Sequence, residues 1–352
     1  MSSRLYWILS LLCALTVAAI VYWPAFGTAK QEQRLMPSSS ITTPDLTQTT
    51  PANPPSDFLK QMQNGHIAKL TTEQIEDYVE SRGRDALSLI VASFLSGSAD
   101  KWLEEAAERF PDDPRVAAAM LIKRGNSPEA SEWIARLKEH DPGNSLGYLL
   151  AAKSALDGKD LNAALKELSA LESTRLNDFR ETWQSGFTDA YRSAGYRGME
   201  AEWLGMWQVP VATGEMSRLS AGIADAMVAA QERGDRATAE ALGRSGMKAA
   251  ALVSDRGDRD LLINQLISVS MERKLLNQLH AFDFIPGDER LVVDRLSEMD
   301  KRIGRIKSVI QGHTELLPTM TESELRQFTR RVQVEGELQA VEWLIAQRQA
   351  AR

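Results

Sequence analysis

The groups from which this 352-residue chain could build chemistry are few and scattered. It carries four histidines and one cysteine, Cys13. A lone cysteine excludes an intramolecular disulfide framework and a zinc site made only of thiolates. His66 follows Asn64-Gly65, His140 precedes Asp141-Pro142, His280 closes an apolar run and His313 follows Gly312. Turns or helix ends are expected at all four places, so these read as surface or cap histidines rather than bases or ligands. Carboxylates such as Glu104 and Glu108 share a helical face beside Arg109. General acid–base work needs burial or a neighbouring charge to separate two pKa values, and this pattern is instead that of a solvated face. No glycine-rich nucleotide loop, zinc-protease helix, calcium loop or nucleophile elbow is present. The basic group Lys301, Arg302, Arg305 and Lys307 could attract phosphate or anionic lipid, but Glu298 and Asp300 adjoin it. No catalytic residue, metal or cofactor is therefore expected. Trp102, Trp133, Trp183, Trp203, Trp207 and Trp343 read mainly as core anchors, although Trp203 and Trp207, one turn apart, could form an exposed aromatic patch.

The composition that must position these groups is 43% hydrophobic and 25% charged, inside the globular range. A net charge of −7 gives no electrostatic footprint for nucleic acid. The average conceals distinct parts. No charge occurs from Leu5 to Ala29, and Tyr6, Trp7, Tyr22, Trp23 and Phe26 would bracket a helix crossing a bilayer between Leu5 and Phe26. The alternative for 1–29 is a secretory signal cleaved after Ala29, with Gly27 and Ala29 in the small-residue places and an unusually long apolar core. Positive charge is nearly tied across the span, so the expectation of an exported body, periplasmic or extracytoplasmic, rests on the tether that follows an N-terminal anchor. Residues 30–57 hold Pro37, Pro44, Pro51, Pro54 and Pro55 among serines and threonines. Such a tract cannot bury a core and reads as a linker.

From 58 to 255 the chain is rich in Ala, Leu, Glu, Arg and Met, without sustained alternation, which predicts an all-α body. Gly97, Gly125, Gly158, Gly195 and Gly234 punctuate it at intervals of 28, 33, 37 and 39 residues. Glycine in a left-handed cap followed by Asp or Asn opening the next helix is the pattern of stacked hairpins. Pro114 and Pro142 lie seventeen residues after Gly97 and Gly125. Ala118 and Ala151 precede their glycines by seven, while Ala130 and Ala163 follow by five and Leu137 and Ala170 by twelve. At these positions, best over 115–171, the chain resembles tetratricopeptide repeats. The units at Gly97, Gly195 and Gly234 depart from the pattern, with Ile90, Trp102, Thr188, Glu200, Trp207 and Met227 where small residues belong. The resemblance implies a solenoid of antiparallel helical hairpins whose first helices line a concave, peptide-binding groove. By register Arg115, Lys123, Tyr148, Asp189 and Arg192 are its candidate lining residues.

Residues 256–352 read as a C-terminal helical region that caps the solenoid. Val292, Leu296, Met299, Ile303, Ile306 and Ile310 form a short heptad-like stripe, suited to packing in a bundle or to weak self-association. Thr321 and Glu324 form a capping box for one long final helix, whose apolar face begins with Leu325, Phe328 and Val332 and continues in a shifted frame near Gly336 through Val334, Leu338, Val341 and Ile345. The function expected is a membrane-anchored, non-catalytic scaffold for an unknown protein or peptide. The alternatives are an envelope enzyme with a pocket between solenoid and C-terminal helices, and a self-associating envelope spacer.

Overall fold

The structure, a computed structural model, describes residues 68–97, 101–125, 127–210, 213–254, 261–316 and 319–350, all within one compact unit, Ala68–Arg352. The expected membrane segment, the cleavage point after Ala29 and the linker lie outside the described residues. Among the described residues there are fifteen α-helices and no strand, and no helix is long and apolar enough to cross a membrane.

Side-chain caps decide where the helices begin. α1 (Thr72–Ser81) opens on a reciprocal box: Thr71 Oγ1 accepts from the Gln74 N–H at 3.2 Å, and Gln74 Oε1 accepts from the Thr71 N–H at 2.9 Å. Asp85, Asp113, Asn144, Asp160 and Asp235 each accept from a first-turn N–H. They open α2 (Ala86–Leu95), α4 (Pro114–Arg124), α6 (Ser145–Asp157), α7 (Leu161–Ser169) and α11 (Arg236–Val253). α3 (Lys101–Arg109) and α5 (Ala130–His140) lie between them. Gly97 and Gly234 take the expected left-handed backbone, at φ 73° and 72°. Gly125 and Gly158 do not. Gly125 stays right-handed at φ −60° and Gly158 at φ −78°, and after Gly158 it is Lys159 that turns the chain, at φ 60°. Two hydrogen bonds, Lys159 N–H to Leu156 O at 3.0 Å and Asp160 N–H to Ala155 O at 2.8 Å, offset that residue's strain.

Hairpins α2/α3, α4/α5 and α6/α7 follow one another in stacked pairs, with α2 and α3 against α4 and α5 against α6. Ala117, Ala118 and Ala119 are buried between them, as are Ala152 and Ala164. Ala151 and Ala163, the small positions expected from spacing, are half-buried, so those two helices present the next residue inward. Then the order breaks. α8 (Arg180–Ser193) packs on α2 and α1 and pairs with α9 (Met199–Trp207), whereas α10 (Thr213–Glu232) packs on α6 and α11 on α7. The stack therefore continues through α10/α11, and the α8/α9 hairpin folds back across the first helices.

The remaining helices close the end. α12 (Leu262–Leu276) lies against α10 and α11, and α13 (Val292–Leu316) against α12. α15 (Glu337–Ala350) lies against α13 and α14 (Glu322–Glu335), and α14 reaches α9. Thr321 and Glu324 do form a capping box. The single final helix expected is two, because Gly336 at φ 99° breaks it and leaves Val334 exposed. α12 has no cap of its own; the buried Glu337 carboxylate supplies one from α15, accepting from the Leu262 N–H at 2.9 Å. An anion at that end also suits the helix dipole.

The α8 face explains its departure. Phe179, Trp183, Phe187 and Tyr191 recur every four residues and are all buried. Trp183 and Phe187 meet Phe94 of α2 at ring separations of 5.9 and 6.4 Å, and the Tyr191 hydroxyl donates to Ala68 O at 2.9 Å. Close approach is set by glycine: a β-carbon at Gly186 would stand 2.8 Å from Val91 Cγ2, and one at Gly205 would stand 2.8 Å from the Thr188 backbone nitrogen. Gly205→Ala should therefore force α9 off α8 and lower the unfolding free energy by about 1–3 kcal/mol, measured by urea denaturation. An unchanged midpoint would show that the two helices do not touch there.

Candidate functional site

The five residues assigned to an inner groove lie on α4, α6 and α8, and each has a partner within the chain. Arg115 is held by its own N-cap, with Nε 2.9 and 3.1 Å from the two Asp113 oxygens, and that carboxylate raises the guanidinium pKa. Lys123 donates to the Ser93 carbonyl and sits 5.2 Å over the Phe94 ring. Tyr148 donates to Pro142 O at 3.2 Å, under Lys138 at 4.9 Å, while Lys138 itself binds Glu167. Asp189 and Arg192 pair at 3.5 Å on α8, and Arg192 reaches Glu202 on α9 at 3.3 Å. A cleft of about 440 Å³ lies between these helices and α14, with Arg180, Arg192, Glu181 and Glu202 in its lining. Glu181 is exposed and Glu202 is ion-paired, so this cleft lacks the two buried, converging acids that an acid–base site requires.

Trp203 and Trp207 do meet, at 5.5 Å, but Trp203 is buried and only Trp207, 38% exposed, reaches the surface. Their neighbours correct one reading of the sequence. His313, expected in a surface connection, lies within α13, stacked between Trp207 at 6.4 Å and Phe328 at 5.5 Å. Its Nε2 is sealed from solvent and has no hydrogen-bond partner among the described residues. Burial lowers the imidazole pKa to about 4, against about 6.5 in the unfolded chain. The unfolded state therefore binds more protons between those values, and stability falls as pH drops from about 6.5 to about 4. His313→Phe should remove a pH-dependent loss on the order of 2 kcal/mol across that window, read from denaturation midpoints at several pH values. An identical slope in the variant would assign the loss to other groups.

The apolar stripe of α13 is largely used within the chain. Val292, Met299, Ile303 and Ile306 are buried, and Leu296 packs on a cluster that includes Val269, Leu276 and Ile285. Ile310 is half-buried. Arg295 on α13 grips the buried Glu272 of α12, with Nη2 2.9 Å from Oε2, and Arg305 clamps Glu342 of α15 at 2.7 and 2.8 Å. With its apolar seam and flanking charges engaged, Leu296→Glu should destabilise the fold, and sedimentation of the parent chain 68–352 should give a monomer. A parent dimer abolished by that substitution would contradict this assignment.

What the structure leaves open is a cleft of about 980 Å³ between the α10–α11 turn and the α12–α13 connection. The connection is a small hairpin. Phe284 bridges to Leu291, Ile285 N–H donates to Arg290 O and Val292 N–H to Asp283 O, both at 3.0 Å, around Gly287 at φ 86°. Ile285 anchors it in the α12–α13 core. Phe282 and Phe284 point the other way and are 72% and 67% exposed. Charged side chains share the lining: Arg236 pairs with Glu240 at 2.8 Å, and Asp288 binds Arg290 just outside. The field of Asp283 also helps hold Arg236 charged. The signal for this site was present in Phe282-Asp283-Phe284-Ile285-Pro286-Gly287: aromatic residues in period two before a Pro-Gly turn.

Among the described residues, no group of three or more His, Cys, Asp or Glu is placed to hold a metal ion. Compared with known families, curated proteins and solved structures, the chain matches no family model, no curated protein and no solved structure.

Proposed function

We propose that this chain is a non-catalytic helical-repeat scaffold that binds another protein or peptide, held at a membrane by 1–29 through the linker 30–57. The stacked pairs α2–α7, with buried alanines between them and capped turns, support a tetratricopeptide-like origin for the body. The membrane part of the reading rests on the uncharged, ring-bracketed stretch between Leu5 and Phe26. The observation that carries the binding part is the pair Phe282 and Phe284, standing exposed on an anchored hairpin beside an open cleft. Burying a phenylalanine is worth about 1.5–3 kcal/mol, and aromatic anchors of this type supply most of the affinity at protein interfaces. The cleft is favoured over the face holding Arg115 and Lys123, because those side chains already have partners within the chain.

A photo-crosslinking amino acid at position 282 of the full chain, followed by mass spectrometry, should trap a reproducible partner. Binding of that partner should fall about tenfold or more in the Phe282→Ser/Phe284→Ser variant, with its unfolding midpoint nearly unchanged. Loss of binding on Arg115→Glu/Lys123→Glu, with the double serine variant unaffected, would place the partner on the first helices instead. Failure to trap any partner at either face would remove the scaffold reading.

A further inference from the structure

We infer that the Phe282–Phe284 cleft takes an extended peptide segment that adds to the free edge of the hairpin and carries a basic side chain beside an apolar one. The inference rests on the scaffold reading above and specifies its partner.

Three features converge on it. The first is backbone. The two ladder bonds of the hairpin flank the Phe284–Leu291 bridge, so the Phe284 N–H and C=O point away from Leu291, and neither has a hydrogen-bond partner among the described residues. The free side of such a bridge can serve as a template for an extended chain, which supplies the missing donor and acceptor. The second is apolar surface. Phe282 and Phe284 both line the cleft and are largely exposed, so they offer apolar surface to the side chains of an added strand. The third is charge. The cleft lining contains Glu240, Asp283, Asp288 and Glu289 against Arg236 and Arg244. Arg236 and Glu240 offset each other, and Arg290 offsets Asp288. Asp283, Glu289 and Arg244 form no ion pair among the described residues, so the lining keeps an excess of one negative charge beside the rings. A lysine or arginine on the incoming strand satisfies that excess.

The same charges weigh against two other occupants. Sinking the rings into a lipid interface would drag Asp283, Asp288 and Glu289 to the headgroups and desolvate them. Pairing with a second copy would bring two sets of Asp283 and Glu289 together, a like-charge penalty.

The test is a positional-scanning library of acetylated, amidated, fluorescein-labelled octapeptides, read by anisotropy against the full-length chain. The expected result is selection of Lys or Arg together with an apolar residue at alternating positions. The selected peptide should lose affinity about tenfold or more against Phe284→Ser, and on N-methylation of the one peptide residue that bonds Phe284. Asp283→Asn/Glu289→Gln should abolish the preference for Lys over Glu while leaving the apolar preference intact. Selection of acidic peptides, no selection, or binding indifferent to Phe284→Ser overturns the proposal. So does slowed amide exchange at Phe284 on adding phosphatidylcholine vesicles alone. If crosslinking at position 282 still traps a partner while the library shows no basic preference, the scaffold stands and this specification falls.

Discussion

Two glycines set the geometry on which this molecule depends. Gly186 lets α8 lie against Val91 of α2, and Gly205 lets α9 lie against the Thr188 backbone of α8. A methyl group at either place would occupy space already filled, and packed interiors yield little. With α8 seated so closely, Trp183, Phe187 and Tyr191 are buried against the first helices. Those rings bring large apolar area to one contact, and the hydroxyl of Tyr191 is satisfied twice, by Ala68 O and by the Gln208 amide at 3.2 Å. The indole N–H of Trp183 is left without a partner among the described residues. That unmet polar group is a cost the apolar contact must exceed.

The position of everything else depends on that seat. Because α8/α9 lies across α2, the stack resumes with α10 on α6 and α11 on α7. Lys153 of α6, nearly buried, bridges to Glu215 of α10 at 3.2 Å and fixes this second junction. Asp157 on α6 meets the same ammonium at 2.8 Å, and the two carboxylates offset the cost of burying its charge. α12 then covers the far end, α13 covers α12, and α9 receives α14 through the rings of Trp203, His313 and Phe328. The hairpin bearing Phe282 and Phe284 is a by-product of the α12–α13 turn. Its inward residue, Ile285, is held by the core, which leaves the outward rings exposed.

Local structure was legible in the sequence, and long-range order was not. Asp85, Asp113, Asp160 and Asp235 cap helices because a short side-chain oxygen reaches an N–H two or three residues on, an interaction written entirely in neighbours. The α13 stripe showed one apolar face for the same reason, without stating what covers it. The seat of α8 joins Gly186 to Val91, ninety-five positions apart, and no spacing rule spans that distance. Glu337 was equally silent: it caps a helix that starts 75 residues earlier. His313 misled because the preceding Gly312 suggested a turn, whereas that glycine lies inside α13. The Phe282 hairpin could have been found, since a Pro-Gly turn after alternating aromatics is a local signal.

The central claim is that α8 is a permanent part of the core against α2, covering that part of the first-helix face, while the Phe282–Phe284 hairpin stands exposed. Native-state hydrogen exchange of the full-length chain tests it without knowledge of any partner. Amides of α2 and α8 should exchange together, through the same global, urea-sensitive opening, while the Phe284 amide exchanges rapidly. Rapid exchange throughout α8 with α2 still protected, or a slow Phe284 amide, would contradict the account.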